Sequence, residues 1–471
     1  MMSTSGILCI DFGTSSIRAA IVKDGRLKPE VLELGEAFRS SIDRASIPSA
    51  VFIEADKTKI LFGEAALNKG QRGSKSMLFE MSPKKWMTSE PPEFLDKELI
   101  PGSGLTRKHL LAGLLAQSFS AISAATGIPK SELIKLETRV SHPVWAPENQ
   151  SALKKQLTWI TEVARQNSGI TDQAIAPEKL YSSLSKARIT TNPNGLDVEE
   201  PVAAALELFE NSENAREICV VVDVGAGTTD LGIFLSLTPD PSSRYHKRKF
   251  IQAASPRSMY MAGDLIDQEV ISLISTKASK LSKDNLQDLQ RRRRSIKETL
   301  FSRTKKVYEA IADVEVTLSD LEKQPNIKKM KNELTNNFDS LISEATSFIK
   351  IFVEASLHRA EKINVVFAGG GSNISFLHQA IGKSISLPNG IIVPIVIRSA
   401  NSTDRALPAA YERLAVAMGG TTPAEFWPVT TIKDLNQLRT EWDPDLKSKN
   451  NDSEFNHGSS EMDAGWWREQ E

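Results

Sequence analysis

The sequence predicts an α/β protein whose two lobes follow one duplicated plan. Residues 6–27 read as an apolar strand, a turn with an aspartate, a glycine and hydroxyl side chains, and a second apolar strand. Residues 217–237 repeat this order in the second half of the chain. Segments with the apolar spacing of helices, such as 106–126, lie between the predicted strands. Strands that alternate with helices favour an α/β fold, and the repeat favours two lobes.

The length and composition are those of a globular protein with a large core. The chain has 471 residues, of which 40% are hydrophobic and 25% are charged. Its net charge of −1 gives no reason to expect nucleic acid or a membrane as a partner. No apolar stretch reaches the ~18 residues of a membrane span, and no secretory signal precedes the first strand. We therefore expect a cytoplasmic protein.

The two cysteines indicate a reducing compartment. Cys9 and Cys219 each lie within an apolar run that reads as a strand. Such thiols are usually buried structural residues. We expect both to be free and buried.

The predicted elements of the first half follow from the spacing of apolar residues. A turn at Asp24-Gly25 would lead into a third strand over Leu27 to Leu34. A hairpin is expected over 47–63, helices over 106–126, 148–167 and 198–210, and a strand over 134–141.

The second half is predicted to be richer in helix. Residues 264–312 and 327–360 have helical spacing, and 312–318 alternate like an exposed strand. Residues 363–381 read as a buried strand, a glycine turn and a helix, and 413–420 read as a last helix.

These elements divide the chain into two lobes and a tail. The first lobe is expected over 1–210 with an insertion at about 45–110, and the second over 211–420 with a helical insertion at about 264–362. The tail, 421–471, has eleven acidic and five basic residues and four of the seven tryptophans. We expect most of it to be disordered. Its tryptophans are either docking anchors or incidental aromatic residues.

The first turn has the chemistry of a phosphate site. Asp11 ends the first strand, and Gly13, Thr14 and Ser15 follow it. Such a turn presents backbone N–H groups to an anion, most often phosphate. A carboxylate there would repel phosphate unless Mg²⁺ lay between them, held partly through waters.

The second turn repeats this chemistry. Asp223 ends its strand, glycines let the backbone approach a ligand, and hydroxyls and a further carboxylate follow. The remaining residues of this turn are Gly225, Gly227, Thr228, Thr229 and Asp230. Two such turns facing each other would clamp the β- and γ-phosphates of a nucleotide from opposite sides.

Other nucleotide motifs do not fit these turns. The chain has no G-x-x-x-x-G-K-[ST] loop, and GAGTTD joins two strands instead of opening a helix. The Asp11-Phe12-Gly13 sequence is not the protein-kinase motif, because that motif must follow a glycine-rich loop, a strand lysine and an H-R-D loop.

Five motifs together resemble the actin-like ATPase superfamily. They are the two turns, VEEPVAAAL (198–206), MAGDLID (261–267) and VFAGGGSNI (366–374). Within the superfamily the chain looks most like the nucleotide-binding domain of Hsp70 chaperones, because IPSAVFI (47–53) and FGEAALNKG (62–70) resemble the start of the Hsp70 small lobe. The resemblance implies duplicated ribonuclease-H-like cores with a nucleotide cleft between the lobes.

The resemblance also implies site residues. Asp11, Asp223 and Asp230 would organise Mg²⁺ through its waters, and Glu200 would position the attacking water or act as base. Lys84 or Lys85 would reach the γ-phosphate, with Lys84 favoured. Further contacts to the nucleotide would come from Gly13, Thr14, Ser15, Gly225, Gly227, Thr228, Thr229, Gly263, Lys297, Gly369, Gly370, Gly371 and Ser372.

The adenine side departs from the family pattern. Glu298 and Asn373 stand where the family has arginines that contact the adenine ring. Each missing cation–π contact is worth ~0.5–2 kcal/mol. Either the nucleotide binds more weakly, or the base is held otherwise, for example by Arg294. The run Arg291 to Arg294 is alternatively a solvated helix face.

The expected function is a slow, Mg²⁺-dependent ATPase that acts as a chaperone-like switch on a protein partner or co-chaperone. Residues after 420 show no run of strands, so the peptide-binding sandwich of Hsp70 is not expected here. The alternatives are a filament-forming actin-like ATPase, which would self-associate, a small-molecule kinase of the same superfamily, and an ATP-binding scaffold without turnover.

Overall fold

The computed structural model describes residues 6–23, 28–37, 44–170, 174–187, 197–210, 216–237, 249–302, 304–354, 362–398, 411–424 and 427–428. Strands and helices alternate along this part of the chain, so the predicted α/β class is confirmed.

The first half of the chain contains the following elements. They are β1 (Gly6–Phe12), β2 (Ser16–Lys23), β3 (Glu30–Val31), α1 (Leu34–Ala37), β4 (Ile47–Pro48), β5 (Val51–Glu54), β6 (Ile60–Phe62), α2 (Gly63–Gln71), β7 (Ser76–Glu80), α3 (Arg107–Thr126), α4 (Lys130–Leu133), β8 (Glu137–His142), α5 (Pro147–Gln166), α6 (Pro177–Leu184), β9 (Asp197–Glu199) and α7 (Glu200–Glu210). Two 3₁₀ helices, Pro83–Met87 and Pro92–Asp96, lie between β7 and α3.

The second half continues with the following elements. They are β10 (Arg216–Val224), β11 (Thr229–Leu237), β12 (Lys249–Gln252), β13 (Arg257–Met259), α8 (Gly263–Lys277), α9 (Lys283–Leu300), β14 (Lys306–Glu309), β15 (Val314–Thr317), α10 (Leu318–Glu322), α11 (Pro325–Glu354), β16 (Ile363–Ala368), α12 (Ser375–His378), β17 (Ser384–Ser386), β18 (Ile392–Arg398) and α13 (Tyr411–Gly419).

Two sheets share one strand plan. The first has the order β3-β2-β1-β8-β9, and the second has the order β12-β11-β10-β16-β18-β17. In each sheet an antiparallel hairpin, β1 with β2 or β10 with β11, is extended by parallel strands on the side of its first strand. The repeat seen in the sequence is therefore a repeat of topology.

The central strands are buried because their side chains are apolar on both faces. Leu8 to Ile10 in β1 and Ile218 to Val222 in β10 have no exposed surface. Continuous apolar runs of this kind are typical of strands covered on both sides. Cys9 and Cys219 lie within these strands, and both are free and buried, as expected.

Helix α13 packs against both sheets. It contacts α7, the hairpin strands β1 and β2 of the first sheet, and β16 of the second sheet. The backbones of α7 and α13 approach so closely that a Cβ atom on Gly419 would overlap with the carbonyl oxygen of Ala203. A glycine is needed there because only hydrogen fits between the two helices.

Several boundaries differ from the prediction. Of the strand predicted over Leu27 to Leu34, the described residues 28–34 contain only the two-residue strand β3, and a helix begins at Leu34. Leu27 and the Asp24-Gly25 turn lie outside the described residues. The helix predicted over 264–312 is two helices and a hairpin. Ser282 accepts a hydrogen bond from the Asn285 N–H and begins α9 as its cap. The strand predicted over 312–318 is β15, which pairs with β14.

Other elements lie close to their predicted positions. The helices predicted over 106–126, 148–167, 198–210 and 413–420 correspond to α3, α5, α7 and α13. Helix α11 ends at Glu354, and residues 355–360 of that prediction are outside the described part. Within the described residues, no helix is both long enough and apolar enough to cross a membrane.

The contact between α7 and α13 generates a stability prediction. We expect Gly419→Ala to lower the free energy of unfolding by about 1–3 kcal/mol, because the added methyl group must force two helices apart. Gly169→Ala is the control, since no described atom lies within 4 Å of a Cβ atom there. Urea denaturation measures both variants, and equal midpoints would contradict the prediction.

The N-terminus of α3 generates a prediction about pH. Nδ1 of His109 accepts a hydrogen bond from the Thr106 N–H at 3.2 Å, and burial followed by the charge of Lys108 lowers the pKa of His109 from 6.5 to about 4. Between these two values the unfolded chain binds a proton that the folded chain does not bind. Stability contributed by neutral His109 is therefore lost as the pH falls from 6.5 to 4.

His109→Gln tests this effect, because glutamine accepts the same backbone hydrogen bond but does not titrate. Denaturation at pH 7 and at pH 4.5 should show a smaller loss of stability in the variant than in the wild type. Equal losses would show that His109 does not contribute to the pH dependence.

Candidate functional site

The turns after β1 and β10 are in contact with each other. A Cβ atom on Gly227 would lie 2.8 Å from Oγ1 of Thr14. Thr14 and Thr228 are both buried. The first turn is held from behind by Ser49, whose hydroxyl donates to the carbonyl oxygen of Gly13 at 2.7 Å. The two aspartate-glycine-hydroxyl turns identified in the sequence therefore form one site.

The second turn is fixed by backbone hydrogen bonds. Its ends close through a bond from the Gly225 N–H to the Thr228 carbonyl at 2.9 Å. The start of α8 joins it, since the N–H groups of Gly263 and Asp264 donate to the carbonyls of Gly225 and Ala226. The MAGDLID segment thus lies directly against the second turn.

The glycine turn after β16 lies on the other side of Asp223. The Gly371 N–H donates to the carbonyl of Val224 at 2.9 Å. Gly369 has a φ of +78°, and a Cβ atom there would overlap with Oδ1 of Asp223. Gly370 is exposed and Ser372 is buried. Three glycine-containing segments therefore converge where β10 and β16 end.

Four carboxylates are buried at this point. Asp11, Glu200, Asp223 and Asp230 are each less than 8% exposed. Asp223 and Asp230 are directly opposite each other in the β10–β11 pair, an arrangement that is destabilising for two like charges. The close approach of these acids needs positive charge or hydrogen-bond donors to balance it.

The acids affect one another strongly. Burial, and next the charge of Glu200, raise the pKa of Asp11 to about 6 and the pKa of Asp230 to about 7. The same two causes raise the pKa of Asp223 well above its usual value, with Asp230 and Asp11 contributing further. Simultaneous ionisation of all these acids is therefore disfavoured unless further positive charge lies beside them.

Lys84 is the cation within the cluster. It lies in the 3₁₀ helix Pro83–Met87, is 3% exposed, forms a buried ion pair with Glu200, and has its Nζ atom 5.8 Å from the centre of the Phe12 ring. Lys85 points elsewhere and pairs with Glu80 at 2.9 Å, with 44% of its side chain exposed. Of the two candidate lysines, Lys84 is the one beside the acids.

The oxygen atoms of the cluster suit a hydrated magnesium ion. Oδ1 of Asp223 is buried and accepts no hydrogen bond from any described residue. Within the described part of the chain, no three acidic, histidine or cysteine side chains are arranged to hold a metal ion directly. All four acids offer carboxylate oxygen, the donor that Mg²⁺ prefers, often through its own waters. The residues fit an ion held through water.

Of the three positions compared with the family pattern on the base side, Lys297 bonds to other protein groups, and Glu298 and Asn373 face solvent. Nζ of Lys297 donates to the carbonyl of Gly263 at 3.1 Å and pairs with the buried carboxylate of Asp267 at 2.8 Å. Glu298 and Asn373, the other two positions expected on the base side, are exposed. Of these three positions only Lys297 carries a positive charge, and it is already paired with Asp267.

Arg294, the residue named above as an alternative contact to the base, bonds to the first half of the chain. Its Nη2 atom donates to the carbonyl of Met81 at 2.7 Å and to the hydroxyl of Ser82 at 2.9 Å. The same hydroxyl donates to Asp264 at 2.7 Å. Arg294 therefore ties α9 to the segment that carries Lys84. In the same run, Arg292 is partly exposed and pairs with Asp288 and Glu309.

Two donors to the acids were missed by the sequence analysis. The hydroxyl of Ser141 donates to Oδ1 of Asp11 at 3.1 Å, and the N–H of Val144 donates to Oδ1 of Asp230 at 3.0 Å. Both follow from the position of β8 beside β1. The sequence did show a serine near the carboxyl end of a predicted strand. It did not show that this strand, β8, lies beside β1, and only that pairing places Ser141 next to Asp11.

Comparison with models of known protein families gave no match, and comparison with curated protein sequences gave none either.

The crowding at Gly369 can be tested by substitution. We expect Gly369→Ala to lower the midpoint of denaturant unfolding by more than Gly390→Ala does. Both glycines have a left-handed backbone, with φ of +78° and +81°, so both substitutions carry about 1–2 kcal/mol of backbone strain. Only Gly369 adds an overlap with Asp223, because no described atom lies within 4 Å of a Cβ atom on Gly390.

Circular dichroism of the two variants during guanidinium denaturation measures this difference. Equal midpoints for the two variants would contradict the close approach of Gly369 to Asp223.

Proposed function

We propose that the chain is an actin-like ATPase, most similar to the nucleotide-binding domain of Hsp70 chaperones, with a nucleotide cleft between two lobes. It binds Mg·ATP and hydrolyses it slowly, as a switch that acts on a protein partner. The observation that carries the proposal is the contact between two equivalent turns, each following the buried first strand of an equivalent hairpin and each bringing a buried carboxylate.

The phosphates would be bound by backbone and hydroxyl groups of the two turns. Glycines at 13, 225 and 227 let the backbone approach an anion, and Thr14, Ser15, Thr228 and Thr229 add hydroxyl groups. Thr14 faces Gly227 across the site. Because the donors come from both halves of the chain, one triphosphate would hold the two halves together.

Magnesium would be held by Asp11, Asp223 and Asp230 through its waters. The ion would neutralise charge on the phosphate oxygens as the γ-phosphate leaves. Burial, and next the charge of Glu200, raise the pKa values of these three acids, and a bound cation would favour their ionised forms. The hydrogen bonds from Ser141 and Val144 keep two of the carboxylates oriented.

Glu200 and Lys84 would act on the attacking water and the γ-phosphate. Glu200 opens α7, is 7% exposed and can accept a hydrogen bond from a water molecule in the cluster. Lys84 forms a buried ion pair with Glu200, so the two side chains would act at the same place. A positively charged lysine at this position also stabilises the charge of the transferring phosphoryl group. Positioning and charge neutralisation supply most of the catalysis in phosphoryl transfer.

The base would contribute less to affinity than the phosphates. Lys297 is paired with Asp267, Arg294 is bonded to Met81 and Ser82, and Asn373 offers no positive charge. These residues leave the adenine without a cation–π partner among those the family uses.

Substitution of Glu200 tests the proposed activity. We expect Glu200→Gln to lower the rate of phosphate release from Mg·ATP by about 10²-fold or more, the usual contribution of a positioned base. Calorimetry should show that Mg·ATP still binds, because the phosphate turns are unchanged. Glu199→Gln is the matched control, since Glu199 is the neighbouring acid and is half-buried outside the cluster.

Substitution of the two lysines separates their roles. Lys84→Ala should reduce turnover strongly, whereas Lys85→Ala, which removes an exposed ion pair, should leave it within about twofold of the wild type. Failure of the wild type to bind Mg·ATP at millimolar nucleotide would overturn the proposed function.

A further inference from the structure

We propose that His142 is a positioning residue of this site, which acts by holding the segment 141–144 against Asp11 and Asp230. The inference rests on the proposed function, because the two acids are the groups it would position. His142 belongs to none of the motifs on which that function rests.

The segment 141–144 joins the acids of the two halves. At one end the Ser141 hydroxyl donates to Asp11, which ends β1, at 3.1 Å. At the other end the Val144 N–H donates to Asp230, which lies in β11, at 3.0 Å. A four-residue segment therefore sets the orientation of one carboxylate from each sheet.

His142 lies between these two donor residues in the sequence, and its ring is held at both nitrogens and on one face. Only 1% of the residue is exposed. Nδ1 is 2.7 Å from the carbonyl oxygen of Pro143, and Nε2 is 2.9 Å from Oδ2 of Asp197. Its face stacks on Trp145, with ring centres 4.1 Å apart and planes 4° from parallel.

Both partners of the ring are hydrogen-bond acceptors. A carbonyl oxygen can only accept, and Asp197 is ionised. Burial alone would raise the pKa of Asp197, but hydrogen bonds from His142 and Lys154 outweigh it and hold this pKa well below its usual range. The ring therefore links the carbonyl of Pro143, within the segment, to Asp197, the first residue of β9.

The anchor of the ring is itself fixed. Oδ2 of Asp197 also accepts from Nζ of Lys154 on α5 at 2.7 Å. Asp197 begins β9, and β9 leads directly into Glu200 at the start of α7. The ring thus connects the donors of Asp11 and Asp230 to the strand that positions Glu200.

Loss of the ring should reduce turnover more than substrate binding. The groups that contact phosphate in the proposed site remain, so the KM for ATP should change by less than about threefold. The carboxylates would lose their fixed orientation, and a small misplacement of reacting groups can cost about 10² in rate. We expect His142→Ala to lower kcat by at least about tenfold.

Conservative variants distinguish positioning from simple stability. His142→Gln and His142→Asn each keep one side-chain N–H donor in the place of a ring nitrogen, so at least one of them should recover part of the lost kcat. His109→Gln is the control for a buried histidine outside the site. Melting temperatures of all variants are measured alongside phosphate release from Mg·ATP by the full chain.

A double variant tests whether His142 acts through Ser141. Ser141→Ala removes the donor to Asp11 without changing the ring, so it remains informative if His142→Ala does not fold. We expect His142→Gln combined with Ser141→Ala to lose less kcat than the product of the two single losses, since coupled residues are not additive.

Two results would overturn the inference. The first is a His142→Ala variant that folds and has a kcat within twofold of the wild type. The second is full additivity of the two single variants. Absence of phosphate release from the wild type is a different outcome, because it would overturn the proposed function and this inference with it.

Discussion

The structure of this site depends on the burial of four carboxylates where two sheets meet. Asp11, Glu200, Asp223 and Asp230 are removed from water, and Lys84 is the cation paired within the cluster. Burying a charge without compensation costs several kcal/mol. The donors around the acids reduce this cost, and the raised pKa values show that they do not remove it.

Small residues make this concentration of charge geometrically feasible. Gly227 admits Thr14, and Gly369 admits the carboxylate of Asp223. Gly419 brings α13 against α7, and α7 begins with Glu200. At each of these positions a methyl group would separate segments that the site needs in contact. The glycines therefore matter here for the space they leave, and at Gly369 also for a left-handed backbone.

Polar contacts between the halves extend beyond the acids. Ser82, next to the 3₁₀ helix that carries Lys84, donates to Asp264 at the start of α8, and Arg294 bonds to the same serine. Within the second half, Lys297 of α9 pairs with Asp267 of α8. These contacts engage Asp264 and Asp267 of α8 and Arg294 and Lys297 of α9.

The sequence by itself determined the α/β class, the repeated hairpin and the acids that end its strands, because these depend on apolar runs and on turn residues that are local in the chain. It also placed α3, α5, α7 and α13 to within a few residues, but it merged α8, α9 and β14 into one helix. Only the tertiary structure showed that Lys84, and not Lys85, lies beside the acids. It also showed that Arg294 bonds to Ser82, and that Ser141 and Val144 donate to the acids. Each of these depends on which strands pair and which helices pack, and contacts between residues far apart in the chain leave no periodic trace in the sequence.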